Sequence, residues 1–237
     1  MTFDPRPFTQ AEIWEAAHGT QGFSKHLLTI YSMAIGLDAQ CIIDFGLGGT
    51  TKTLRLAATV TGGTVYSCDC DRERFAYLLS QQEDHWKLDL SGSDSFLRSV
   101  GGPVDFVVHD SAHDYYQVKL DLEALLPKMR TFGLICLHDT QQPELRDDMV
   151  SAIRDATKGW QVSLTSLPYS AGLTILRVEK GNHPERPTRS TMPDGLAPDT
   201  APAPMAMSFA DGSPQNPTDA GLMRYLRWRL RKIVKGY

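Results

Sequence analysis

Between residues 25 and 180, short apolar runs alternate with amphipathic stretches, and this alternation restricts the chain to an α/β fold. Residues 41–45, 64–68, 86–90, 104–109 and 132–137 read as strands, being short, apolar and bounded by glycine or acid. Residues 24–37, 50–59, 72–81, 116–129 and 144–157 carry apolar side chains at helical spacing between them. A last pair of strand-like runs, 160–167 and 172–178, is joined by Pro168-Tyr169-Ser170-Ala171 and predicts an antiparallel edge. The expectation is a doubly wound, mostly parallel sheet with ligands above the carboxyl ends of its strands.

Composition narrows the class further. The 237 residues are 41% hydrophobic and 22% charged, with a net charge of −4, which suits a globular protein and gives no reason to expect nucleic acid. Cys41, Cys68, Cys70 and Cys136 lie in or beside strand-like runs and lack the paired spacing of a zinc site. They read as reduced packing residues of a cytoplasmic protein with no signal or membrane-spanning segment. Eight of the fourteen prolines fall in residues 181–217, a composition that predicts a linker after a domain at 1–180. Residues 218–237 predict an amphipathic tail helix with Leu222, Leu226, Leu230 and Ile233 on one face. Six basic residues (Arg224, Arg227, Arg229, Arg231, Lys232 and Lys235) suit it equally to an anionic membrane surface and to docking on the acidic body or on another subunit, including a second copy.

The turn Asp44-Phe45-Gly46-Leu47-Gly48-Gly49-Thr50 joins the first strand to the first helix, and its glycines would let a ligand approach the backbone. The dinucleotide fingerprint G-x-G-x-x-G and the phosphate loop counted from Gly46 both require a glycine where Thr51 stands. Asp69 ends the second strand, where a carboxylate can accept both hydroxyls of a ribose. Asp71 competes for that role, but its position suits a helix N-cap. Cys70 lies between the two, and Ser93-Asp94-Ser95 after the third strand could reach an adenine edge.

These motifs resemble those of class I S-adenosylmethionine (SAM)-dependent methyltransferases. More specific is the block Asp105-Phe106-Val107-Val108-His109-Asp110-Ser111-Ala112-His113-Asp114-Tyr115, followed by Gly133-Leu134-Ile135-Cys136-Leu137-His138-Asp139-Thr140. It is similar to the branch that pairs D-x-x-H-x-Y with a later H-D-T and includes small-molecule and sugar O-methyltransferases. The resemblance covers about residues 20–180. It implies a seven-stranded Rossmann-like sheet, SAM as donor, and a hydroxyl of a small molecule or sugar as acceptor. The cofactor residues it implies are the turn from Asp44 to Thr50, Asp69, Cys70, Asp94, Ser95 and Asp110. Ser111-Ala112 departs from the Gly-Asp or Gly-Ser common in such sequences and removes acidity from that loop.

Asp110, His113, His138 and Asp139 converge at the ends of the fourth and fifth strands and are the catalytic candidates. Methyl transfer to a hydroxyl requires alignment of the two reactants and removal of a proton. In one mechanism Asp110, His138 and Asp139 hold Mg²⁺ or Mn²⁺, the imidazole favouring Mn²⁺. In the other, His113 or His138 is a metal-free general base. A SAM-binding-fold protein of another class, oxygenase-related or non-catalytic, is the competing function. His109 and His85 read as surface or packing residues without a partner.

Overall fold

Why these runs become strands is visible in which way their side chains point. In β1 (Cys41–Phe45), Ile42 packs on one face of the sheet while Ile43 packs on the other. Phe106 and Val108 of β4 (Val104–His109) likewise oppose Val107. Side-chain period two with both faces apolar gives an unbroken hydrophobic run, as expected of a strand covered by helices on both sides. Each fully buried aliphatic side chain contributes roughly 1.5–3 kcal/mol.

The computed structural model describes residues 3–19, 22–168 and 170–185. Its sheet has seven strands: β1, β2 (Thr64–Cys68), β3 (Trp86–Asp89), β4, β5 (Met129–His138), β6 (Gln161–Leu167) and β7 (Leu173–Lys180). Their spatial order is β3-β2-β1-β4-β5-β7-β6. Neighbours from β3 to β5 pair in parallel, whereas β7 runs antiparallel to both β5 and β6. The antiparallel strand therefore lies one position inside the edge, and β6 closes the sheet. The order reverses between β1 and β4, which opens a crevice above their carboxyl ends.

Seven helices cover the sheet among the described residues: α1 (Gln10–His18), α2 (Leu27–Gly36), α3 (Gly49–Thr61), α4 (Arg72–Phe75), α5 (Ser93–Ser99), α6 (Tyr115–Leu125) and α7 (Arg146–Ala156). Residues of α1, α2, α3 and α4 pack with Ile42, Val65 and Phe106, while α5, α6 and α7 pack with Ile43, Val107 and Ile135. Two expected helices are shorter than their periodicity suggests. Residues 72–81 pass from α4 into a 3₁₀ turn at Ala76–Gln81, and residues 116–129 end in a 3₁₀ turn at Leu126–Lys128 carrying Pro127. Two helices were not expected, α1 and α5. The first rests on a capping box in which Glu12 N–H donates to Thr9 Oγ1 and Thr9 N–H donates to Glu12 Oε2.

The packed body continues past Lys180. Thr131 N–H donates to the His183 carbonyl at 2.9 Å, and Arg130 Nη1 donates to that of Pro184 at 3.1 Å. The remainder of the expected linker and the whole of the expected tail helix lie outside the described residues. No helix among the described residues is long and apolar enough to cross a membrane. Cys68 and Cys136 are buried and Cys41 is half-buried, as packing residues should be, but Cys70 is exposed beyond the end of β2.

A carboxylate clamps the amino end of the sheet, opposite the crevice. Asp105, at the start of β4, accepts from Gln40 N–H at 2.9 Å and Cys41 N–H at 2.8 Å, and it pairs with Arg130 Nε at 3.1 Å. Removing it strands two amides and a guanidinium. Asp105→Ala is expected to lower stability by roughly 2–4 kcal/mol in urea unfolding, with the crevice residues untouched.

Candidate functional site

The crevice is built on a backbone contact. Gly46 has φ +94, and a Cβ there would collide with the carbonyl oxygen of Asp110. Gly46 N–H donates to Cys68 O at 2.9 Å, and Asp110 N–H donates to Phe45 O at 3.0 Å, so the loops after β1, β2 and β4 are fixed together. Gly48 differs from Gly46. Its φ of −171 is ordinary extended backbone, and a Cβ added there would meet nothing within 4 Å. The turn is therefore closed beneath Gly46 and open above Gly48, where a ligand can lie against the main chain.

Thr51, which excluded two nucleotide motifs, now has a structural role. Its Oγ1 accepts from Gly48 N–H at 3.0 Å and donates to Asp44 Oδ2 at 2.7 Å. Asp44 also accepts from Ser67 Oγ at 3.0 Å, and burial pushes its carboxyl up to about 7 despite those hydrogen bonds. Asp44, Phe45 and Thr50 are buried almost completely, so they support the turn from below and expose no side chain to a ligand. Leu47, Gly48 and Gly49 remain half-buried at the surface of the crevice. Asp69 Oδ2 accepts from Leu47 N–H at 3.1 Å and its Oδ1 from Asp71 N–H at 2.9 Å. A carboxylate offers about four acceptor sites, so it keeps capacity for ribose hydroxyls. Asp71 caps α4, accepting from Arg74 N–H at 3.0 Å.

Asp94 and Ser95 lie at the start of α5. Both are exposed on α5, where Asp94 pairs with Arg98 Nη1 at 2.6 Å, four residues on. Ser93, the residue before them, is half-buried and donates to Asp121 Oδ1 at 2.6 Å. His109 is not a lone packing residue: it is fully buried, and its Nε2 lies 2.9 Å from Asp121 Oδ2. Tyr115 donates to Asp155 Oδ2 at 2.8 Å, while Tyr116 beside it is 76% exposed.

The acidic half of the crevice brings all four catalytic candidates together. His113 Nε2 lies 3.8 Å from Asp110 Oδ1 and 3.9 Å from Asp139 Oδ2, beyond hydrogen-bond range of both. It is buried and has no hydrogen-bond partner. Asp110, His113 and Asp139 offer one ligand atom each, all within 4.8 Å of one another. His138 instead lies deeper. Its Nδ1 is 2.7 Å from Asp139 Oδ1 and 3.4 Å from Asp110 Oδ1, with the side chain only 4% exposed. Burial pulls His138 down, but its pairing with Asp110 and Asp139 outweighs that and lifts it to about 9. Burial lowers His113 against the pull of the same two acids. Burial tends to raise Asp139, yet His138 holds it below its ordinary value.

Asp139 reaches this position with φ +59, a left-handed conformation that Asp tolerates better than most residues and that is commonest at sites under functional constraint. His26, which sequence reasoning missed, lies before α2, fully buried, with its ring edge-on to His138 at 5.2 Å. Burial, followed by the neighbouring His138, lowers it to about 4. No local pattern marks His26, because only the tertiary fold carries residues 22–26 to the end of β5.

Comparison with known proteins agrees with this fold. A family described as a methyltransferase domain matches residues 44–140, from the acid under the turn to the threonine after Asp139. No curated protein matches the sequence. Among solved structures, an O-methyltransferase from Bacillus cereus in complex with SAH is 18% identical, with 72% of this chain and 92% of that one covered and a TM-score of 0.52. The O-methyltransferase TomG from Streptomyces achromogenes, in complex with SAM, is 16% identical over 74% and 92% of the two chains, with a TM-score of 0.53. An SAH-bound methyltransferase from Podospora anserina is 13% identical over 74% and 90%, with a TM-score of 0.54. At these identities the likeness is one of fold.

The two glycines are expected to separate folding from binding. Gly46→Ala should cost about 2 kcal/mol or more of stability, since a left-handed backbone and a backbone collision coincide. Gly48→Ala should cost no more than about 1 kcal/mol and instead place a methyl in the open part of the cradle. Thermal unfolding of both variants checks this, and an equal loss at the two positions would contradict it.

Proposed function

We propose, from the premise that residues 44–140 are a methyltransferase domain, that this protein transfers a methyl group from SAM to a hydroxyl of a small molecule or sugar. The observation that carries the reading is the cluster of Asp110, His113 and Asp139, with ligand atoms within 4.8 Å, beside a glycine turn that packs on Asp110. One end of the crevice suits a nucleoside, and the other suits proton removal.

The open backbone at Gly48 and the spare acceptor capacity of Asp69 fit the cofactor, whose sulfonium supplies an electrophilic methyl group. Leu47 and Asp69 form one wall, since the Leu47 amide is held on the carboxylate that would take the ribose. On the acidic side, two carboxylates and an imidazole with an unpartnered Nε2 are a donor set for a divalent ion. Such a set accepts Mn²⁺ readily and Mg²⁺ less so, because one donor is nitrogen. A bound ion would lower the proton affinity of the acceptor hydroxyl and orient it. His113, rather than the His138 of the sequence-based set, supplies the imidazole in this reading. His138 holds Asp139 by its 2.7 Å contact, and His26 closes the space behind it. Holding acceptor and donor in a near-attack arrangement accounts for the largest share of the rate gain.

A metal-free variant uses the same atom differently. His113 Nε2, buried and unpartnered between two carboxylates, would accept the acceptor proton directly, with Asp110 and Asp139 stabilising the resulting imidazolium.

Calorimetric titration with SAM and NAD tests the cofactor: binding of NAD without SAM would overturn the reading. Transfer of a labelled methyl group to a panel of hydroxylated acceptors then tests the reaction. Chelation followed by Mn²⁺ or Mg²⁺ add-back separates the two variants, and full turnover after chelation would leave His113 as base. Asp139→Ala is expected to lower turnover at least about 100-fold in either case, since it removes a ligand in one and a charge partner in the other.

A further inference from the structure

The two edges of the sheet are finished differently. β3 is short, and the loop before it closes it: Glu83 N–H donates to Trp86 O at 3.2 Å, Trp86 N–H donates to Glu83 O at 3.1 Å, and Leu88 N–H donates to Gln82 Oε1 at 2.8 Å. Lys87 adds an exposed charge to that edge. β6 has none of these features. Among the described residues its single strand partner is β7, and no hydrogen bond closes its outer side. Ser163, Leu164, Thr165 and Ser166 are all exposed, Leu164 by 50%.

An open strand edge is a row of unsatisfied amides and carbonyls, and natural sheets blunt such edges with charge, proline, bulges or shortness. The seven residues Gln161-Val162-Ser163-Leu164-Thr165-Ser166-Leu167 contain no charge and no proline. A register shift at Gln161/Val162 and the proline at Pro168 stand at the two ends and leave the centre open. A strand without charge cannot select a charged partner; what it matches is a strand as neutral and as long as itself. Two-fold pairing adds a stricter demand, because each position then faces its symmetry-related one and like charges would repel. In an antiparallel pair centred on Leu164, that leucine meets itself, Ser163 meets Thr165, Val162 meets Ser166 and Gln161 meets Leu167. None of these pairs repels. On β7, one strand in, Arg177 and Glu179 pair with each other at 2.9 Å.

We propose that β6 is the contact between two copies of this chain, paired antiparallel about Leu164 so that the two sheets run on as one. Leu164 lies on the face that α7 covers, since Val162, two residues before it, packs on the cluster containing Met149 and Ile153. Val150 of that helix is 48% exposed and adds apolar surface on the same side of the sheet. Leu173 pairs with both His138 and Leu167, so β6 ends at the crevice end of the sheet. Antiparallel pairing sets the partner's crevice at the opposite end, and the two crevices open in opposite directions. The contact stands whether or not methyl transfer is the reaction.

Sedimentation of the full chain over a dilution series reads the association directly. The native protein is expected to form dimers that dissociate on dilution. Leu164→Lys and Leu164→Glu, both at an exposed position, each set like charges face to face across the axis and should weaken the dimer at least about tenfold. Mixing the two variants in equal amounts should restore it, since opposite charges then meet, whereas a loss of folding would not be repaired by mixing. Amide hydrogen exchange of residues 162–166 should slow in the native dimer relative to the dilute monomer. A native protein that stays monomeric at every concentration overturns the proposal. So does a dimer that neither single variant weakens, one that the mixture fails to restore, or one that leaves those amides unprotected.

Discussion

The close approach of Gly46 to the carbonyl of Asp110 is the contact on which the rest of the site depends. Parallel strands have no hairpins to bring their ends together, so loops that emerge from β1 and β4 must be joined by something other than chain connectivity. Here the join is made by main chain: a glycine without a side chain on one strand, a carbonyl on the next, and amides at Gly46 and Asp110 that donate to the neighbouring strands. Since Asp110 is also the first acid of the cluster with His113 and Asp139, the glycine turn and that cluster share a single fixed point.

Around that point the polar groups are arranged in tiers. Asp44 lies beneath the turn with Thr51 and Ser67, Asp121 lies beneath the crevice with His109, and His138 lies beneath Asp139. The first two sets join groups that are all buried, and in the third the buried His138 holds the more exposed Asp139. Burying such groups is unfavourable unless they are paired, so each tier is stable only as a set, and each narrows the conformations of the group it supports.

Much of this was legible in the sequence, and what was not has a physical reason. The bounds of β1, β2 and β4 follow from short apolar runs bounded by glycine or acid, which no helix pattern imitates. Helices α1 and α5 escaped because their sequences are polar and short, with Ile13 the single buried residue of α1. For Asp94 an ion-pair partner stood in plain view as Arg98, one helical turn away. His26 and Asp121 had no such signal. Their importance comes from contacts with His138 and His109 on other elements of the fold, which the periodicity of a single element does not report. The resemblance to methyltransferases correctly indicated the fold, and the ends of the fourth and fifth strands pointed to Asp110, His113, His138 and Asp139, but distances were needed to distinguish the two histidines.

The clamp at Asp105 has a consequence for how such a protein can change over evolutionary time. It secures β1, β4 and β5 at the end of the sheet away from the crevice, using two backbone amides and one guanidinium. The strands are thus tied by a side chain at one end, while at the other the crevice loops are joined through main chain at Gly46 and Asp110. Loops of that kind can accumulate substitutions, and with them new acceptors, while the scaffold keeps its register. The distance between clamp and crevice is what makes the chemistry separable from the fold that carries it.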